Sequence, residues 1–208
     1  MKPALHTLIA CSLLALFWTP TSASLALQPV EAPAQGLEFE VDPLHSGVLF
    51  RIEHMQVSAF HGRFTKISGR YFLDQEDPAK CEVEISIDAA SADSASEGRD
   101  KHITGPDFMN AKQFPTAEFR STSIVPAEDS DPERPVYLVT GMLNLRGEEG
   151  EVTFPMTLIG EKVTRMGHRS GFEGRLTIDR REFGMERFPT EALGAEIELT
   201  FFIEGLHE

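Results

Sequence analysis

The chain has 208 residues, a formal net charge of −14 and 41% apolar residues, with 15 phenylalanines against two tyrosines and one tryptophan. An acidic balance of this size argues against nucleic acid and anionic membrane surfaces as partners, because each phosphate contact would have to overcome repulsion. The two cysteines, Cys11 and Cys81, stand far apart, and no Cys or paired-His spacing of the kind zinc requires occurs.

The N-terminus reads as an address. Lys2 supplies a positive start, residues 8–18 form an apolar run, and Thr21-Ser22-Ala23 ends in a small residue suited to signal peptidase. A run of about 11 residues is too short to span a bilayer as a helix, so residues 1–23 are expected to be a cleaved export signal that leaves no stable membrane insertion. The alternative is a lipid anchor at Cys11, since Leu8-Ile9-Ala10-Cys11 looks like a lipobox, although the most apolar part of the run follows that cysteine. Cleavage removes Lys2, taking the charge from −14 to −15, together with Trp18 and Cys11. Cys81 is then alone, so stability has to come from packing even where the compartment permits disulfides. Residues 24–36, rich in Ala, Pro and Gln, read as a flexible leader. Residues 37–206 suffice for one domain with a sizeable core.

From Leu37 onward the apolar period is two. Val48, Phe50, Ile52 and His54 share one face; Cys81, Val83, Ile85 and Ile87 alternate with Glu82, Glu84, Ser86 and Asp88. The same alternation carries Val152–Leu158, Phe172–Ile178 and Ala195–Ile203, as expected of half-buried strands. Odd apolar spacing between Phe64 and Ile67 predicts a bulge near Thr65-Lys66. Pro155 has no N–H for a ladder, so its strand is expected to be edge-like or bulged there.

Residues 94–112 break the pattern. Ser94 is placed to cap a short helix with Glu97 in its first turn, Gly105-Pro106 ends it, and Asp107 begins another turn. About eight antiparallel strands with one short helical insertion predict an all-β, up-and-down barrel of lipocalin type, since closure disposes of exposed edges. A two-sheet sandwich satisfies the same alternation.

Several pieces occur in a particular order: Val41-Asp42-Pro43-Leu44-His45-Ser46, Gly62-Arg63-Phe64, Ile87-Asp88-Ala89-Ala90-Ser91, Arg99-Asp100 and His102, Asp107-Phe108, Phe114-Pro115-Thr116 with Phe119, Arg146-Gly147, and Arg181-x-Phe183-Gly184-Met185. Together they resemble the signature of the YceI-like family of periplasmic, lipocalin-like proteins that hold an isoprenoid lipid. The chain departs from the usual pattern at Ile103, Gly105, Met109 and the acidic link 147–152, which puts Met109 and that link near the expected cavity mouth. The resemblance implies a periplasmic binding or carrier protein for a long-chain isoprenoid lipid or isoprenoid quinone. Its candidate ligand-lining residues are Phe50, His54, Phe64 and Phe108, followed by Phe119, Leu143, Phe172 and Phe183. It implies no catalytic residue, no metal and no cofactor beyond that bound lipid.

Phenylalanine, an aromatic face without a polar handle, suits a dry interior meeting a flexible hydrocarbon, though it serves equally as core filling. Inward Phe50, Phe119, Phe172 and Phe201 therefore either pack solid or leave a slot. A tail of about 40 carbons at about 0.3 kcal/mol per heavy atom would supply on the order of 12 kcal/mol, near nanomolar affinity without a charged anchor. In so acidic a chain, an uncharged or weakly polar head such as a quinone is preferred to a pyrophosphate. The rival is an enzyme acting on a lipid-like substrate with His54 or His102 as general base. A third reading is a ligand-free structural or stress-response barrel. Arg99 and Asp100 read as a capping or ion-paired set rather than as acid and base. His45 and His54, nine apart, would point to opposite faces of one regular strand.

Overall fold

The computed structural model describes residues 36–128 and 130–208; the export-signal reading and all of the leader before Gly36 lie outside them. Eleven strands make one antiparallel sheet. β1 (Leu37–Val41) runs on into β2 (Gly47–His54), and β3 (Ser58–Phe64) into β4 (Ile67–Leu73), each pair acting as one bent strand. β5 (Glu82–Asp88) and the short β6 (Ala92–Asp93) form a third, alongside β4 and β3 in turn. The helix α1 (Glu97–Ile103) follows, then β7 (Thr116–Pro126), β8 (Val136–Leu145), β9 (Glu148–Thr164), β10 (Gly167–Asp179) and β11 (Leu193–His207).

β11 closes the ring. It pairs with β10 on one side and on the other with β2, then β1, through Leu193↔His54 to Phe202↔Gly47 and Val41↔Gly205. With the three bent strands counted once each, this is an eight-strand up-and-down barrel with one helix, as the alternation predicts; the sandwich is ruled out by closure. Among the described residues, closure leaves one seam, where β9 before Met156 and β10 after Gly174 no longer pair.

The bends have local causes. Between β1 and β2, the Ser46 hydroxyl both donates to the Glu204 carbonyl (3.2 Å) and accepts from the Glu204 N–H (2.9 Å), standing in for ladder bonds. Between β3 and β4, the expected bulge is a full break: Thr65 N–H donates to the Ser91 carbonyl and Lys66 N–H to the Ser91 hydroxyl. Pro155 pairs with Leu138 of β8 and lies one residue beyond the last β9–β10 pair, Met156↔Gly174, so its missing donor faces the side where that ladder has ended.

Ser94 does not cap the helix. The N-cap position is Ser96, and Ser94 is buried, donating through both its N–H (2.8 Å) and its hydroxyl (2.5 Å) to the Asp100 carboxylate. A side chain already engaged inside the fold is not free for the helix end.

One half of the barrel is packed solid. Phe39 stacks on Tyr71 (centroids 5.2 Å) and Tyr71 meets Phe172 edge-on (5.2 Å), in the same buried core as Val139, Met156 and Leu158. The Tyr71 hydroxyl reaches Ser170 Oγ at 2.6 Å and the Ser170 carbonyl at 3.0 Å, which satisfies both buried groups.

Candidate functional site

The other half is hollow. A cavity of about 500 Å³ opens at the end of the barrel that carries the β2–β3 turn, α1 and the segment 184–192. Its walls come from the parity of the strands: Val48, Phe50 and Ile52 on β2, Phe60 and Phe64 on β3, Leu143 and Leu145 on β8. Ile178 of β10 and Leu193, Ile197 and Leu199 of β11 complete the far wall, while Ile103, Phe108 and Met109 lean in from the insertion. A volume and lining of this kind match small-molecule sites, which are mostly apolar with few polar groups.

Among the described residues, the polar side chains lining the cavity are His54, Arg99 and His102, all set near its mouth. His54 packs against the edge of Phe60 (6.4 Å), and the Arg99 guanidinium lies over the same ring at 4.9 Å, a cation–π arrangement. Arg99 is held by Ser94, donating from Nε to Oγ (2.8 Å) and from a terminal nitrogen to the carbonyl (2.6 Å). Arg99 and Asp100 thus share Ser94 as an anchor, consistent with a positioning rather than an acid–base role. His102 sits edge-on to Phe108 (5.1 Å) and Phe188 (5.6 Å), with Nε2 3.3 Å from Asp107 Oδ2.

Of the eight expected lining residues, Phe50, His54, Phe64, Phe108 and Leu143 are in the cavity wall. The other three are not. Phe119 packs on Phe154 (5.3 Å) beneath the cavity, and Phe172 belongs to the solid half against Tyr71. Phe183 is buried under β9, its ring 3.1 Å from where a Cβ on Gly150 would be, and so it seals the seam between β9 and β10. Inward parity alone cannot say at which height along the axis a ring sits. Met109 does line the cavity, as its expected place near the mouth suggested; residues 147–152 form the β8–β9 turn region at that end without reaching the lining.

Two functional-end residues escaped the sequence. Phe188 lies on a segment with no apolar period. Arg180 is fully buried and donates to the carbonyls of Gly194 (2.8 Å), Phe188 (2.6 Å), Leu193 (2.9 Å) and Met185. Burial lowers the pKa of its guanidinium, an effect opposed by nearby Asp179. Its neighbour Arg181, the one singled out in the motif, instead points outward and pairs with Asp179, holding that carboxyl at about 2. Strand parity through Ile178 was the available signal: it turns Arg180 inward and Arg181 out.

At the bend between β1 and β2, Asp42 and His45 come close enough to Glu204 to suggest a metal cluster. Arg169 occupies that position, donating to Asp42 (2.9 Å) and Glu204 (2.5 Å), so the group reads as an ion-pair network.

Comparison with known proteins places this geometry. The YceI-like domain matches residues 39–205. A UPF0312 protein of Pseudomonas aeruginosa, PA0423, is 32% identical over 194 residues, covering 90% of this chain and 98% of the relative. One from Photorhabdus laumondii, plu2095, is 31% identical over 189 residues, covering 90% and 95%. The crystal structure of Burkholderia cenocepacia BcnA superposes with a TM-score of 0.70 at 28% identity, covering 79% of this chain and 98% of that one. A polyisoprenoid binding domain from Saccharophagus degradans, implicated in plant cell wall breakdown, shares the fold at a TM-score of 0.65 and 13% identity, with 83% and 99% covered. With the closed barrel, the ordered motifs and a match spanning nearly all of the described residues, the chain belongs to the YceI-like family.

Proposed function

We propose that this protein is an exported, periplasmic carrier that holds an isoprenoid lipid or isoprenoid quinone, tail inward, in the hollow half of its barrel. The observation that carries the reading is the cavity itself: about 500 Å³, apolar throughout its depth, with polar side chains confined to its mouth. A saturated or prenyl tail needs such a dry interior and no partner within it. A structural relative described as a polyisoprenoid binding domain supports the same class of ligand. His54, Arg99 and His102 supply hydrogen-bond donors, so they favour a head group with acceptor oxygens, as a quinone has.

The lining also favours carriage over chemistry. It contains no hydroxyl, thiol or carboxylate among the described residues, so a histidine base at the mouth has no protein nucleophile to activate. Native mass spectrometry and organic extraction of the mature protein test the reading. A prenyl lipid released unchanged is expected. A chemically altered product would point to catalysis, and a persistently empty cavity would favour the ligand-free barrel. The intact mass of protein recovered from a bacterial periplasm tests export, with cleavage expected near Ala23.

A further inference from the structure

The cavity ends on an aromatic layer, and that layer sets how much hydrocarbon can enter. Below Ala117, Leu143 and Leu199 in the wall, the next inward positions on the same strands are Phe119, Gly141 and Phe201. The Phe119 ring lies so close over Gly141 that a Cβ there would collide with it, and Phe201 lies over Gly174 in the same way. Phe154 bridges the two rings, with centroid separations of 5.3 and 5.2 Å. Each outer ring fills the notch its glycine leaves, and the solid half lies beyond, so the layer has nowhere to withdraw.

The volume above it is limited. At roughly 30 Å³ for a water-sized group, about the bulk of a methylene, a cavity of about 500 Å³ takes on the order of 16 such groups. That is about three five-carbon prenyl units. A tail of about 40 carbons would need more than twice that space.

We propose that the Phe119–Phe154–Phe201 layer is a ruler for tail length: about three to four prenyl units enter, and the remainder of any longer tail stays outside the mouth. This rests on the lipid-carrier reading and adds to it the determinant of tail length. While units still enter, each should tighten binding about tenfold; past the fourth, the gain should fall below about threefold.

The test uses delipidated protein and 1,4-benzoquinones bearing one, two, three, four or eight prenyl units, compared pairwise by native mass spectrometry. Steep gains that level off at three or four units are expected. Phe201→Ala, which removes a ring about the bulk of one unit, should move the plateau up by one; Ala117→Phe, which adds the same ring to the cavity wall just above the layer, should move it down by one. Continued tenfold gains through eight units in the unaltered protein would overturn the ruler and leave the carrier standing. Binding at no length would overturn both. Should Phe201→Ala fail to fold, Ala117→Phe, which fills space rather than emptying it, decides: an unmoved plateau in that variant refutes the ruler.

Discussion

Arg180 is the most demanding residue in the fold, because its guanidinium is wholly buried and is matched to four carbonyls instead of a carboxylate. Arg180→Met keeps the unbranched stem and removes every donor. Hydrogen bonds from a charged donor contribute about 1.5–3 kcal/mol each, so four of them amount to roughly 6–12 kcal/mol gross. Burying the ion costs several kcal/mol in return, and the net loss is placed at about 3 kcal/mol. For a domain of this length each kcal/mol moves the midpoint by about 2–4 °C, so the variant should melt about 6–12 °C lower by circular dichroism. Arg180→Lys should fall between the two, since a single ammonium cannot span four separated acceptors. The carbonyls of Met185, Phe188 and Leu193 belong to residues that also line the cavity. Lipid retention should therefore weaken along with stability. A Met variant that melts within about 2 °C of the parent and retains its lipid would refute the account.

Phe172→Leu tests the division of the barrel. It should cost about 1–3 kcal/mol of stability while leaving lipid retention intact, because the ring packs on Tyr71 away from the cavity; lost retention in a folded variant would contradict that placement. Burial pushes the phenols of both Tyr71 and Tyr137 upward, so an ultraviolet titration of the native protein should show no phenolate near the ordinary value of about 10. Asp42 is held far below the usual carboxylate range by Arg169 and then by His45. Its folded form binds a proton less readily than its unfolded form, so this contribution is present above about pH 4 and is lost as pH falls through the lowered value. Asp42→Asn should accordingly be less stable than the parent at neutral pH and converge with it in strong acid; an equal deficit at both would exclude the ion pair as the cause.

Period two was enough to read the strands, their inward faces and the broken stretch between Phe64 and Ile67, because a half-buried strand has to alternate. It placed Phe50 on the interior, the family resemblance added Phe64 and Leu143, all three are buried, and neither signal gave information on height. Phe119 and Leu143 are cross-strand neighbours, yet one lies under the cavity and the other in its wall. The difference comes from Gly141, into whose notch Phe119 folds, and such a contact follows from three-dimensional packing. Phe183 was legible as inward but not as a seal, since the gap it fills exists only because the β9–β10 ladder stops at Met156↔Gly174. Ser94 looked like a cap from its spacing, and only the part-buried Asp100 carboxylate explains why it is used otherwise.

The two halves of the barrel depend on each other. A void in a protein interior costs about 24 cal/mol per Å³ when nothing relaxes, so about 500 Å³ left empty would cost as much as about 12 kcal/mol. That is an upper bound, because the mouth admits water, but it equals the whole stability of a typical domain. Cys81 is a free thiol, raised in pKa chiefly by burial, so no cross-link among the described residues offsets such a cost. The packed half does, through the Phe39–Tyr71 stack with Phe172 edge-on to it and the Arg169 ion pairs around the bend of β1 and β2. An apolar guest in the hollow half would restore the contacts its walls lack. Carrying a tail and being stable are then two consequences of one arrangement, in which aromatic rings fill one end and glycine notches fix the height at which filling stops.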